Sequence, residues 1–139
     1  MPQEEVRVVK AAFERWNAGD MDAARELFVP DLIMRLPPDW PEPGPFVGRD
    51  AVWRQLEQMR ETWDVDVLEP VSDFFHVGDR VAVRQIWRGA GHGPQSTVET
   101  TGVYTVRNGK VFNVEHFWDH AEALATLGLR ASNKITRHA

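Results

Sequence analysis

Cysteine is absent from the 139 residues of this chain. Its absence excludes disulfide bonds, thiolate catalysis and cysteine-based zinc sites, and it suits a reducing compartment. The first residues are acidic and lack the apolar core of a signal peptide. No apolar run approaches the length of a membrane span. We therefore expect a soluble, cytoplasmic protein that has no membrane partner.

Clustered positive charge is also lacking. The chain scatters 16 Lys and Arg residues and carries a net charge of −5, whereas nucleic-acid binders concentrate basic residues on one surface. Gly89, Gly91 and Gly93 follow a predicted strand but do not open a helix, so no phosphate-binding loop is indicated. His116 and His120 are four residues apart, but a predicted strand-to-helix boundary between them denies them a shared helical face. We expect no nucleic acid, metal or cofactor to bind.

Aromatic residues are plentiful by contrast, with six Trp and seven Phe. Apolar residues at helical spacing predict a first helix over Glu4 to Ala18, which Gly19 ends. Asp20 is suited to cap a second helix over Met21 to Phe28. A third helix is predicted from Arg49 to Trp63. Helices therefore dominate the first half of the chain.

The second half reads as β structure. Apolar and β-branched runs predict a short strand over residues 31–36, then strands over residues 65–75 with a break at a proline, 80–88, 96–106 and 111–118. Asn108-Gly109 is the strongest hairpin signal, because both residues accept positive φ.

Residues 37–45 hold five of the nine prolines and predict a stiff loop. Asp119 is suited to cap a short last helix that Gly128 ends. We expect one domain over residues 1–129 and a polar tail over residues 130–139. Segregated helices and strands indicate the α+β class.

Three segments, Trp16 to Asp20, Phe46 to Ala51 and Tyr104 to Val111, resemble in order and spacing the SnoaL-like branch of the nuclear transport factor 2-like superfamily. The resemblance covers residues 4 to about 129. It implies a cone-shaped α+β barrel, with three N-terminal helices packed on a strongly curved mixed or antiparallel sheet. The superfamily includes ketosteroid isomerases, polyketide cyclases, epoxide hydrolases, dehydratases and proteins without catalysis, so fold alone names no reaction.

The resemblance can be compared with known mechanisms. Ketosteroid isomerases use an Asp base and an oxyanion hole of Tyr and protonated Asp, and the matching positions here are Leu36, Ala12 and Gly102. That mechanism is therefore not expected. Polyketide cyclases use a carboxylate assisted by a histidine on the sheet, and only the histidine is matched, by His116.

His116 is the candidate catalytic group, since an unperturbed pKa near 6.5 suits proton transfer. The alternative is a packed neutral histidine whose ring nitrogens bond Tyr104 or a backbone carbonyl. Tyr104 and Gln85 are candidates to orient a substrate oxygen, although each also fits a structural role.

Strand alternation places Phe112, Val114, His116 and Trp118 together on the cavity side. Trp40, on the proline-rich loop, is the candidate lid. The candidate ligand-binding residues lie on inward faces or on this loop: Trp16, Met34, Leu36, Trp40, Leu56, Met59, Trp63, Gln85, Trp87, Val114 and Trp118.

Three functions stay open. The chain could be a cofactor-independent isomerase, cyclase or lyase acting on a small hydrophobic molecule, a binding protein without catalysis, or an interaction module whose cone is packed shut. A cavity of roughly 300 Å³ or more fits the first two, and a filled cone fits the third.

We also expect a homodimer through the outer sheet face, which would otherwise expose Ile86, Val103 and Phe117. A monomer at micromolar concentration by light scattering would exclude the dimer.

Overall fold

The computed structural model describes residues 3–40, 42–63, 65–89 and 96–129, apart from the side chains of residues 3, 62, 63, 65, 66, 89, 96 and 97. The polar tail and most of the loop after residue 89 lie outside these ranges. Within them, no helix is long and apolar enough to cross a membrane. The helices are α1 (Gln3–Asn17), α2 (Met21–Arg25), α3 (Arg49–Trp63) and α4 (His120–Thr126).

The helix boundaries follow the predicted caps, with one exception. Gly19 has a φ of 79° after α1, and the Asp20 carboxylate accepts the Ala23 N–H at 3.0 Å at the start of α2. The prediction that α2 runs to Phe28 is wrong, because the helix ends at Arg25 and Phe28 pairs with Val111 of the sheet. A cross-strand partner outweighs helical spacing at that boundary.

In the described part of the chain, seven strands form one mixed sheet: β1 (Phe28–Arg35), β2 (Phe46–Val47), β3 (Val65–Pro70), β4 (Phe75–Val77), β5 (Arg80–Gly89), β6 (Ser96–Arg107) and β7 (Lys110–Phe117). Their spatial order is β2-β1-β7-β6-β5-β3, with β4 pairing β5 beyond that path. Only β1 and β7 pair in parallel. The path ends at β2 and β3, so the sheet is open rather than a closed barrel.

The predicted hairpin between β6 and β7 is present. Asn108 and Gly109 have φ values of 53° and 77°, and Arg107 pairs with Lys110 across the turn. A register shift follows, because Val106 pairs with Val111 whereas Thr105 pairs with Asn113. The shift leaves one unpaired residue in β7 and changes which side chains point inward after the turn.

The main core lies between α1, α2 and α3 and one face of the sheet. At its edge the Asn17 side chain is bonded to both backbone groups of Leu68, accepting the N–H at 2.7 Å and donating to the carbonyl at 2.9 Å. These bonds tie the end of α1 to β3. They hold Trp16 against the sheet, where its ring meets that of Trp87 at 5.9 Å.

The opposite face of the sheet is partly covered by α4. Leu124 and Ala123 pack on Val103 and Ala82, with Phe117 at the margin. The premise that a lone sheet would leave Val103 and Phe117 exposed is therefore wrong. The outer sheet face therefore offers less exposed apolar surface for the predicted homodimer than we expected.

Candidate functional site

A cavity of about 50 Å³ lies inside the main core, between α1, α2, α3 and the sheet. One ordered water needs roughly 10–15 Å³, and pockets for drug-sized ligands measure about 300–1,000 Å³. The cone is therefore not packed shut, but its cavity is smaller than the roughly 300 Å³ expected for a binding protein or an enzyme. The lining residues are Ala12, Phe13, Trp16, Ala24, Phe28, Met34, Val52, Trp53, Leu56, Leu68, Trp87, Tyr104, Val114 and His116.

The predicted site residues fall into three groups. Both catalytic candidates, His116 and Tyr104, line the cavity, as do five ligand-binding candidates: Trp16, Met34, Leu56, Trp87 and Val114. Three others are buried without lining it, namely Leu36, Met59 and Gln85. Trp40 and Trp118 lie away from the lining, and the Trp63 side chain is outside the described part of the chain.

Trp118 does not continue the inward face of β7. The strand ends at Phe117, and Trp118 is 45% exposed. Its ring packs on Trp40 at 5.6 Å, and its N–H donates to the exposed carboxylate of Asp39. Phe112 also leaves the predicted face, because it is the unpaired residue of the register shift and lies under Arg107. Only Val114 and His116 of the predicted inward set reach the cavity.

A buried polar chain runs along the cavity wall. The Tyr104 hydroxyl donates to Gln85 Oε1 at 2.7 Å. The Gln85 amide nitrogen lies 3.4 Å from His116 Nδ1, a long hydrogen bond. An amide nitrogen can only donate, so Nδ1 accepts and the ring proton of neutral His116 resides on Nε2. Within the described residues no hydrogen bond engages Nε2.

The strand register brings this chain together. Gly102 pairs with Val83 on one side and with His116 on the other. A Cβ at Gly102 would lie 2.8 Å from Tyr104 Cε1 and 3.1 Å from Gln85 Oε1. Because Gly102 has no side chain, the Tyr104 ring can lie against its backbone and its hydroxyl can reach Gln85.

Burial sets the protonation of both titratable groups. It lowers the pKa of His116 to about 4, so the imidazole is neutral at pH 7. It raises the pKa of Tyr104 well above its ordinary value, outweighing the opposing effect of the hydrogen bond with Gln85. Both groups are therefore neutral: the Tyr104 proton is donated to Gln85, and His116 keeps an Nε2–H.

No Asp or Glu is among the lining residues within the described chain. The described residues also hold no group of three or more His, Asp or Glu side chains that could bind a metal ion. Tyr104, Gln85 and His116 thus form the polar chain without a carboxylate to accept a proton from a ligand. The arrangement can donate hydrogen bonds, and it lacks a strong base.

Several lining residues escaped the sequence analysis. Trp53 is not among the predicted ligand-binding residues, yet it is 3% exposed and its ring contacts Phe28 at 5.0 Å. The signal was available, because Trp53 and Leu56 are three residues apart and share a helical face. The other missed lining residues are Ala12, Phe13, Ala24, Phe28, Val52 and Leu68.

Comparisons with known proteins agree with this architecture. A family model described as a SnoaL-like domain matches residues 9–114. A solved protein from a soil-derived mobile gene cassette is 20% identical with a TM-score of 0.74, over 90% of this chain and 96% of that one. A candidate polyketide cyclase from Sinorhizobium meliloti is 25% identical with a TM-score of 0.65, over 79% of this chain and 93% of that one.

A nuclear transport factor 2-like protein from Burkholderia xenovorans is also 25% identical, with a TM-score of 0.65 over 90% of this chain and 95% of that one. No significant match was found among curated proteins. These likenesses confirm the α+β cone fold.

Proposed function

Because this chain belongs to the SnoaL-like family, we propose that its cavity binds a small, largely apolar molecule. The observation that carries the proposal is an apolar cavity with one polar chain in its wall, formed by Tyr104, Gln85 and His116. Ligand sites commonly combine apolar walls with a few placed polar groups. The likeness to a candidate polyketide cyclase supports a cyclic or polyketide-like ligand.

In this proposal His116 donates a hydrogen bond to the ligand. A pKa of about 4 makes the imidazole a weak base at neutral pH, and Nδ1 already accepts from Gln85. The remaining Nε2–H can bind a ligand oxygen and polarise a carbonyl group. Acid/base catalysis with His116 as the base has less support than binding with orientation of an oxygen.

The bound molecule is either a substrate or a ligand that the protein does not transform. Binding without catalysis is the second candidate function. It is favoured by the lack of a carboxylate among the described lining residues. Isomerase, cyclase and lyase reactions each need a proton to be moved, and a positioned base normally does this. Turnover that persists in His116→Ala with an identified substrate would exclude His116 from the chemistry.

The homodimer also remains a proposal. The outer face that α4 leaves uncovered includes half-buried Ile86. The charged neighbours of Ile86 are paired within the chain, Arg84 with Glu99 at 3.1 Å and Arg88 with Glu69 at 2.7 Å. Paired charges cost less to bury in an interface than unpaired ones. The light-scattering experiment described above tests this proposal.

A cavity-filling variant tests the binding function. We expect a thermal-shift screen of small cyclic ketones and arenes to find compounds that raise the melting temperature of the wild type, since a ligand of the native state alone stabilises it by mass action. Ala12→Leu adds side-chain volume to the lining and should abolish that increase. Ala51→Leu makes the same exchange on α3 at a half-buried position outside the lining and should retain it.

Each variant is compared with its own melting temperature without ligand, because added volume can itself destabilise the core by about 1–3 kcal/mol. An equal ligand response in Ala12→Leu and wild type would place binding outside the cavity. If no compound shifts the wild type, the packed interaction module becomes the better account.

A further inference from the structure

Two of the indole rings that line the cavity carry N–H groups for which the described residues supply no acceptor. Trp16 and Trp53 both line the cavity and are 4% and 3% exposed. Their Nε1 atoms are fully enclosed, and no hydrogen-bond partner was found for either within the described residues. An enclosed N–H without an acceptor costs free energy, and native proteins contain few of them. Two such N–H groups, both on residues that line one small cavity, call for a functional explanation.

The side-chain acceptors of Gln85 and His116 are already engaged. Gln85 Oε1 accepts from Tyr104, and His116 Nδ1 accepts from the Gln85 amide. The third lining indole, that of Trp87, donates to Thr100 Oγ1 at 3.4 Å. Three donors remain on the side chains of the described lining residues, namely the N–H groups of Trp16 and Trp53 and the Nε2–H of His116, against one free acceptor, the hydroxyl oxygen of Tyr104.

A surplus of donors selects a ligand that carries acceptors. No Lys, Arg, Asp or Glu lines the cavity within the described chain, so a carboxylate ligand would be buried without a counter-charge. A neutral carbonyl compound with an apolar body fits both the walls and the donors. We propose that the ligand carries carbonyl-type oxygens, and that the indole N–H groups of Trp16 and Trp53 bind them. This inference rests on the proposed binding function and narrows its ligand class.

Binding would have to move the rings. The cavity measures about 50 Å³, and both indole nitrogens are enclosed. Trp16 packs edge-on to Trp87 at 5.9 Å and has the Arg60 guanidinium at 5.0 Å from its ring. Trp53 meets Phe28 edge-on at 5.0 Å. A ligand that enters between these pairs enlarges the cavity and reaches the N–H groups as the rings tilt.

The test compares two compounds of nearly identical shape. Acetophenone carries a carbonyl oxygen, and α-methylstyrene has a CH₂ group in its place. Protein labelled with ¹⁵N at tryptophan is titrated with each compound, and Trp16→Phe and Trp53→Phe assign the two indole signals. We expect acetophenone, and not α-methylstyrene, to move at least one of the two signals downfield, since it carries a single carbonyl oxygen. We also expect acetophenone to bind more tightly, on the order of tenfold.

Trp87→Phe is the matched control, because it removes a lining indole whose N–H already has an acceptor. It should change the affinity for both compounds alike, whereas exchange of the indole whose signal moves, by Trp16→Phe or Trp53→Phe, should weaken acetophenone selectively. Equal binding of the two compounds, with neither indole signal moving downfield, would overturn the indole proposal and leave the cavity as a ligand site. If neither compound moves any signal of a lining residue, the proposed function fails as well.

Discussion

His116 determines how the site is interpreted. It lines the cavity beside Trp87, with 5.8 Å between the two rings, and it has no carboxylate partner among the described residues. The sequence analysis left two interpretations of this residue open, a proton-transfer group and a packed neutral histidine. Its low pKa and its bond with Gln85 favour a neutral donor.

The protonation of His116 predicts how stability depends on pH. Burial lowers its pKa from the ordinary 6.5, which holds in the unfolded chain, to about 4 in the folded chain. Above pH 6.5 neither state binds the proton. As the pH falls from 6.5 towards 4, the unfolded chain takes up a proton that the folded chain excludes, so stability falls by up to about 1.4 kcal/mol per pH unit.

Denaturant unfolding of the wild type and of His116→Asn at pH 7 and pH 5 checks this prediction. The wild type should lose roughly 1–2 kcal/mol more than the variant over that interval. Val111→Ala is the control, since it weakens the core without removing a titratable group, and it should follow the wild type. Parallel pH dependence of the wild type and His116→Asn would show that His116 is not held neutral by the fold.

The Tyr104 ring and Gln85 occupy the space beside Gly102. Gly102→Ala places a methyl group 2.8 Å from the Tyr104 ring and 3.1 Å from Gln85 Oε1, so the ring must shift and the 2.7 Å bond to Gln85 must weaken. We expect a loss of about 1–3 kcal/mol in the free energy of unfolding. The backbone of Gly102 itself does not require glycine, because its φ is not positive.

A double-mutant cycle separates the steric cause from other effects of the methyl group. Tyr104→Leu removes the ring with which the new methyl group collides, so Gly102→Ala should cost less in that background. The same cost in both backgrounds would mean that the space above Gly102 is not reserved for Tyr104.

At the scale of the elements, periodicity predicted most of the secondary structure. α3 has the predicted bounds, Arg49–Trp63, and the Asn108-Gly109 turn lies where its residue types placed it. Local signals suffice where spacing, caps and turn residues agree. The boundary at Phe28 failed because its partner, Val111, is distant in sequence.

Inward and outward positions were harder to predict than the strands themselves. The alternation of β7 predicted four inward residues, but the register shift displaces Phe112 and the strand ends before Trp118. A bulge depends on how two strands pair, which one strand's pattern does not contain. The cover that α4 gives to Val103 depends likewise on tertiary packing.

At the scale of the whole molecule, the resemblance predicted the family and the fold, and both are confirmed. It did not predict the volume of the cavity. That volume depends on how the rings of Trp16, Trp53 and Trp87 pack, and a sequence pattern does not specify their orientations. Tyr104, Gln85 and His116 were separate site candidates in the sequence, with Tyr104 or a backbone carbonyl as the expected partner of His116. The structure instead places Gln85 between Tyr104 and His116.

The cavity inside the cone is proposed to bind a small carbonyl-bearing molecule. The most direct measurement is a crystal structure of the wild type soaked in acetophenone. We predict density for the phenyl ring between α1 and the sheet, with the oxygen within about 3.2 Å of a donor nitrogen of Trp16, Trp53 or His116. A cavity that stays closed at saturating acetophenone, with the compound absent or bound only at the surface, would contradict the claim.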